Sequence, residues 1–151
     1  MNNSIYAPDT FSEITERINK LSPSSQAKWG KMNVAQMLGH CVNAINTSVS
    51  DDKGKVTFMG RLFGKMARKM VLADDKPFKQ NLPTAKEFIV IDERDFERER
   101  RKLLSVLELL KDKGPNGVAD KVHPFFGTMA KEDWAFLIYK HLDHHLRQFG
   151  V

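Results

Sequence analysis

Four stretches of this chain place apolar residues three and four positions apart, the spacing of a helix with one apolar side. Such a stripe must be buried against another element, so four of them require helices that pack on one another. The first runs from about Asp9 to Leu21, with Phe11, Ile14, Ile18 and Leu21 on one side. Asp9 or Thr10 is its expected cap, and Ser22-Pro23-Ser24-Ser25 ends it. The second follows Trp29-Gly30-Lys31-Met32. Asn33 suits its N-cap, Gln36 three residues later completes a capping box, and Val34, Met37, Leu38, Cys41, Ile45 and Val49 form the stripe. The third spans about Asp92 to Asp112, with Phe96, Leu103, Leu107 and Leu110 inward, and Gly114-Pro115-Asn116-Gly117 stops it. The fourth runs from about Ala130 to Phe149, with Thr128 as a plausible cap.

A long connection, about residues 50 to 91, separates the second helix from the third. Within it, Met59 to Val71 is basic and amphipathic. Leu62, Phe63, Met66 and Met70 take one side, and Arg61, Lys65, Arg68 and Lys69 the other. Lids and membrane-surface helices share this pattern, but packing on the chain's own bundle or on a second subunit is the expected outcome. Phe88-Ile89-Val90-Ile91 reads as an extended segment lying on the bundle. The expected architecture is all-α, a four-helix bundle with a long crossover between helices 2 and 3, in a single domain over residues 1–151.

Composition excludes more than it assigns. Cys41 is the one cysteine, so an internal disulfide cannot form. The N-terminal MNNSIYAPDTF has neither a basic start nor an apolar stretch, unlike a signal peptide, and a cytoplasmic location is expected. The formal charge of +5 is spread and interleaved with acids. There is no helix-turn-helix signature and no aromatic-basic interleaving for bases, so nucleic acid is not an expected partner. A small-molecule substrate is expected, a homodimer is allowed, and a membrane partner is not expected.

The candidate chemistry lies in KHLDHHLRQ. His141 and His145 are four residues apart, on the side of the last helix that carries Trp134, Leu137, Ile138 and Leu142. Asp143 and Arg147 fall roughly opposite, with Phe136 an exception among them. Inward imidazoles need partners, and a metal ion is one way to supply them. His40, in the middle of the second helix, is the obvious third ligand, although it falls at the edge of its stripe. His144 also sits at a stripe edge, and periodicity prefers His145 to it. Three imidazoles suit zinc, nickel, cobalt or iron(II) and leave coordination positions open, as catalytic sites do. The alternative is a hydrogen-bonded core network without metal.

Trp29 to Ile45, WGKMNVAQMLGHCVNAI, resembles the second-helix block of the DinB-like superfamily of small bacterial four-helix bundles. His123 to Val151, HPFFGTMAKEDWAFLIYKHLDHHLRQFGV, resembles the closing block of a branch known only as a domain of unknown function. The resemblance covers most of the chain and is loose in the crossover. It implies a divalent metal, zinc or nickel first, held by His40, His141 and His145. It also implies the chemistry of characterised relatives, which are metal-dependent transferases or isomerases using a low-molecular-weight thiol.

Other residues are weighed beside these. His123, before Pro124, reads as a turn histidine or a proton donor. Gln148 shares the inner face with His145, and would orient a metal-bound water or bond a buried backbone group. His144, His123 and Gln148 are the polar groups to test as general base. Cys41 reads as an inert buried thiol, and Trp134 and Tyr139 as packing residues. The functional expectation is a metal-dependent thiol transferase or hydrolase. Its rival is a non-enzymatic bundle that acts through oligomerisation or partner binding.

Overall fold

A computed structural model describes residues 3–84, 86–119 and 121–151, the side chain of Glu87 excepted. Met1 and Asn2 of the N-terminal stretch, and Ala85 of the long connection, lie outside the described residues. Among the described residues are five α-helices: α1 (Pro8–Lys20), α2 (Val34–Val49), α3 (Phe58–Val71), α4 (Phe96–Lys113) and α5 (Lys131–Gln148). A two-stranded antiparallel sheet, β1 (Val122–His123) and β2 (Gly127–Thr128), pairs Val122 with Thr128 and His123 with Gly127. Short 3-10 turns occupy Lys86–Phe88 and Pro115–Val118.

Helices α1, α2, α4 and α5 share one core. Ile14 and Ile18, Leu38 and Ile45, Leu103 and Leu107, and Trp134 and Leu142 are its buried centre. Burial of each such side chain stabilises by about 1.5–3 kcal/mol. α2 lies against both α4 and α5 and carries no Asp, Glu, Lys or Arg, which suits a helix with neighbours on two sides.

The apolar stripes were placed correctly; the caps of α1 and α5 and the start of α4 were not. α1 is capped by Ala7 without a side-chain bond, and Asp9 and Thr10 lie inside the helix. Pro8 at the first turn has no N–H to satisfy, so the helix starts there without a polar cap. The capping box of α2 is formed as expected: Asn33 accepts from the Gln36 N–H, and Gln36 accepts from the Asn33 N–H. α4 begins later than Asp92, because Asp95 takes the cap by accepting from the Arg98 N–H, and Asp92 pairs with Arg94 instead. α5 is preceded by Ala130, and Thr128 is spent in β2. The Phe88–Ile91 run ends a 3-10 turn and then crosses the surface with Val90 buried and Ile91 exposed.

α5 is buried nearly all round, so Asp143 does not project into solvent as its helical phase suggests. It is buried between Arg17 of α1, at 2.9 Å, and Arg147, at 2.8 Å. Lys140 is also buried. Its ammonium donates to the Val71 carbonyl at 2.7 Å and to that of Asp74 at 2.8 Å, tying the end of α3 to α5. Burial pushes its pKa down, against the pull of Asp74.

Candidate metal centre

The capping box fixes where α2 begins, and His40 follows two turns in, buried and facing α5. His141 and His145 come from consecutive turns of α5. The three rings stand 4.7 to 4.9 Å apart, centroid to centroid. One nitrogen from each lies within 4.8 Å of the others.

The protonation of two rings follows from their partners. His40 Nδ1 lies 2.8 Å from the Phe88 carbonyl oxygen. A carbonyl can only accept, so Nδ1 carries the hydrogen and Nε2 presents a lone pair. The amide of Gln148 is fixed by the same logic. Its Nε2 donates to the Trp29 carbonyl at 2.7 Å, so its Oε1 faces His145 Nδ1, 2.8 Å away, and accepts from it. His145 Nε2 is therefore free as well. His40 Nε2 and His141 Nε2 are 2.9 Å apart.

Gly30 makes this relay fit. Its φ of +82° lies in the left-handed region, and a Cβ there would sit 2.6 Å from Gln148 Nε2. The same loop is strapped to the end of α5 by the Lys28 N–H, which donates to the Gln148 carbonyl at 2.8 Å.

All three imidazoles are held neutral. Burial lowers the pKa of His40, against its bond to Phe88. Burial, and then the neighbouring His145 and His40, hold His141 well below the usual histidine range. Burial and His40 bring His145 to about 3. Neutral imidazole is the ligating form. Nitrogen ligands of a tetrahedral ion stand about 3.3 Å apart. The spread here, from the 2.9 Å contact to the 4.8 Å limit, brackets that separation, so the donor set fits a divalent ion.

The remaining candidates divide. His144 turns away from the cluster and lies between Trp29 and Phe78, with ring centroids 5.6 Å from each. It lines a cavity of about 410 Å3 together with Lys28, Trp29, Phe78 and Arg147. The three clustered histidines do not line that cavity, so it neighbours the cluster and is not part of it; His144 and His145 are 5.0 Å apart. His123 is a turn residue. Its Nδ1 accepts from the N–H groups of Phe125 and Phe126, both at 3.1 Å, and burial brings its pKa to about 4. Gln148 bonds a buried backbone group and orients an imidazole. Cys41 is buried 3.7 Å from the Met37 sulfur, with its thiol pushed up by burial. Trp134 is a core residue whose indole N–H donates to the Lys121 carbonyl.

Phe88, Trp29 and Gly30 are the participants that sequence reasoning missed as site residues. Two act through backbone carbonyls and one through the absence of a side chain, so only the glycine leaves a trace in the sequence.

Fold and site together define an all-helical protein with a buried three-histidine cluster joining two helices. The chain belongs to the family described as protein of unknown function (DUF1569), whose model matches residues 7–150. No curated protein and no solved structure matches it.

Proposed function

We propose that this chain is a divalent-metal-binding protein of the DinB-like four-helix-bundle type, with His40, His141 and His145 as ligands, and that it carries out thiol transfer or hydrolysis. The supporting observation is the convergence of the histidine nitrogens, with Nδ1 of His40 and of His145 already committed to Phe88 and Gln148. Secondary partners of this kind fix ring orientation and raise ligand basicity. Zinc or nickel is the expected ion. When bound, it supplies Lewis acidity that lets a thiol or water act as a nucleophile near neutral pH.

The protein's own contribution is to keep the imidazoles neutral, hold two of them by their far nitrogens, and bury the site. The neighbouring cavity offers apolar walls from Trp29 and Phe78 and cations from Lys28 and Arg147. That lining suits a small ligand with an apolar body and an acidic group. His144 is the imidazole that lines the cavity, 5.0 Å from His145, and it is the candidate general base.

Elemental analysis of untagged protein tests the metal. One equivalent, lost in His141→Ala, supports the reading. No uptake after incubation with zinc or nickel removes it. Thiol conjugation across a panel of electrophiles and low-molecular-weight thiols tests the chemistry. A second reading rests on the 2.9 Å contact, which is also hydrogen-bond length. In it, His141 Nε2–H donates to His40 Nε2 in a metal-free core network, and function lies in oligomerisation or partner binding.

A further inference from the structure

Helix α3 is docked on the body by its small residues, and its large apolar residues face outward. On a helical projection Gly60, Gly64, Ala67 and Val71 share one side. Both glycines are buried against the 124–126 turn. A Cβ on Gly60 would lie 2.7 Å from the carbonyl oxygens of Pro124 and Phe125, and one on Gly64 would overlap that of Phe125. The Thr57 N–H donates to the Pro124 carbonyl at 2.8 Å, Arg68 donates to the Thr128 carbonyl, and Lys140 holds the Val71 carbonyl. The helix is thereby pinned at its start and through its last turn.

Phe58, Met59, Leu62, Phe63, Met66 and Met70 fill a separate arc of about 140°. All six are 46 to 74% exposed. Arg61 and Lys65, also exposed, take the adjoining sector, Lys69 falls at the edge of the apolar arc between Phe58 and Leu62, and the helix holds no Asp or Glu. Of the two packings expected for this stretch, on its own bundle or on a second subunit, the first does not occur, for a physical reason. Backbone carbonyls of the 124–126 turn approach so closely that only glycines fit, and the bulky residues are left on the far side.

We infer that α3 is a docking element for the surface of an anionic phospholipid bilayer, lying in the interface plane with its apolar arc among the acyl chains and its cations at the headgroups. A broad apolar face beside a purely cationic one is the composition of an in-plane helix. Among the described residues no helix is long and apolar enough to cross a membrane, so the contact is peripheral. Charge selects this occupant over a second copy of the chain. Two α3 helices placed face to face would bring Arg61, Lys65 and Lys69 of one near those of the other, with no acid on either helix to pair with them. An anionic lipid surface supplies the missing negative charge at about a fivefold gain in partitioning per basic residue.

The experiment is co-sedimentation of the full-length chain with vesicles of phosphatidylcholine alone, or with one third phosphatidylglycerol. Binding to the anionic vesicles only is expected. Arg61→Gln and Lys65→Gln should each weaken it about fivefold. A Leu62→Glu, Met66→Glu variant should abolish it with the circular dichroism spectrum and melting curve unchanged, since both side chains are already solvated. A Phe63→Trp reporter should shift to the blue on adding anionic vesicles. Equal recovery with both vesicle types, no binding to either, or undiminished binding by the double-Glu variant overturns the inference. So does a concentration-dependent dimer that the double-Glu variant abolishes, because the face would then belong to a second copy. None of these outcomes depends on whether the histidines bind metal.

Discussion

Helices α2 and α3 have the same apolar periodicity and opposite fates. α2 buries Leu38 completely, whereas α3 leaves Leu62 58% exposed. Around α2 the polar groups that matter are paired: His40 with Phe88, Asn33 with Gln36, and Gln148 with both His145 and Trp29. Around α3 the polar groups serve to pin a helix whose bulky face is largely exposed. Periodicity therefore shows that a face is apolar, not which way it turns. The two helices differ in charge, none along α2 and four cations along α3, and in the glycines that let the 124–126 carbonyls approach α3 and turn its bulky face outward.

The largest effect expected at the buried seam is loss of the metal. His141→Ala should take the protein from one bound equivalent to none, read by elemental analysis. Equal metal content in the variant would disconnect the cluster from any ion. The paired leucines test the contrast itself. Leu38→Ala should cost about 2–5 kcal/mol in denaturant unfolding, and Leu62→Ala within about 0.5 kcal/mol of zero. A large cost at Leu62 would mean that the α3 face is covered in solution.

Gln148→Leu leaves the three clustered histidines in place and removes the partner of His145. Metal affinity should fall about 10- to 100-fold in a competition titration with a chelator. Unchanged affinity would make Gln148 a packing residue. Gly64→Ala should destabilise by about 1–3 kcal/mol through overpacking against the Phe125 carbonyl. A neutral result there would show that α3 is loosely held, weakening the contrast from the other side.

The most diffuse effect is acid sensitivity. The folded-state pKa of His145 is about 3 and that of His123 about 4, both below the unfolded value of about 6.5. Folding therefore excludes protons from these rings. The stability they carry is complete above about pH 6.5 and is lost as pH falls toward 4 and then 3. Melting temperatures of the metal-free protein should decline over that window. A flat profile would mean that the imidazoles are not buried as neutral groups.

Much of this was legible in the sequence because it is local. The stripes of α2 and α4, the Asn33–Gln36 box and the Gly114 stop each depend on residues within a turn or two of one another. The phase that turns His141 and His145 to one side of α5 depends only on helical geometry. The cap of α1 and the start of α4 were less legible, since a proline at the first turn removes the need for a polar cap and a second aspartate nearby moves one by a few residues. The burial of Asp143 was not legible, because its partner Arg17 is 126 positions away.

The same division runs through the site and its surroundings. Residue spacing determined that two imidazoles share a helix face, and that a third stands in the middle of another helix. Only the tertiary structure decided that the three meet. It also decided that the Phe88 carbonyl and Gln148 hold two of their far nitrogens, and that α3 rests on glycines with its apolar arc outward. The physical reason is range: dihedral periodicity is set within a few residues, whereas a carbonyl oxygen can serve any donor that folding brings to it, whatever side chain it carries.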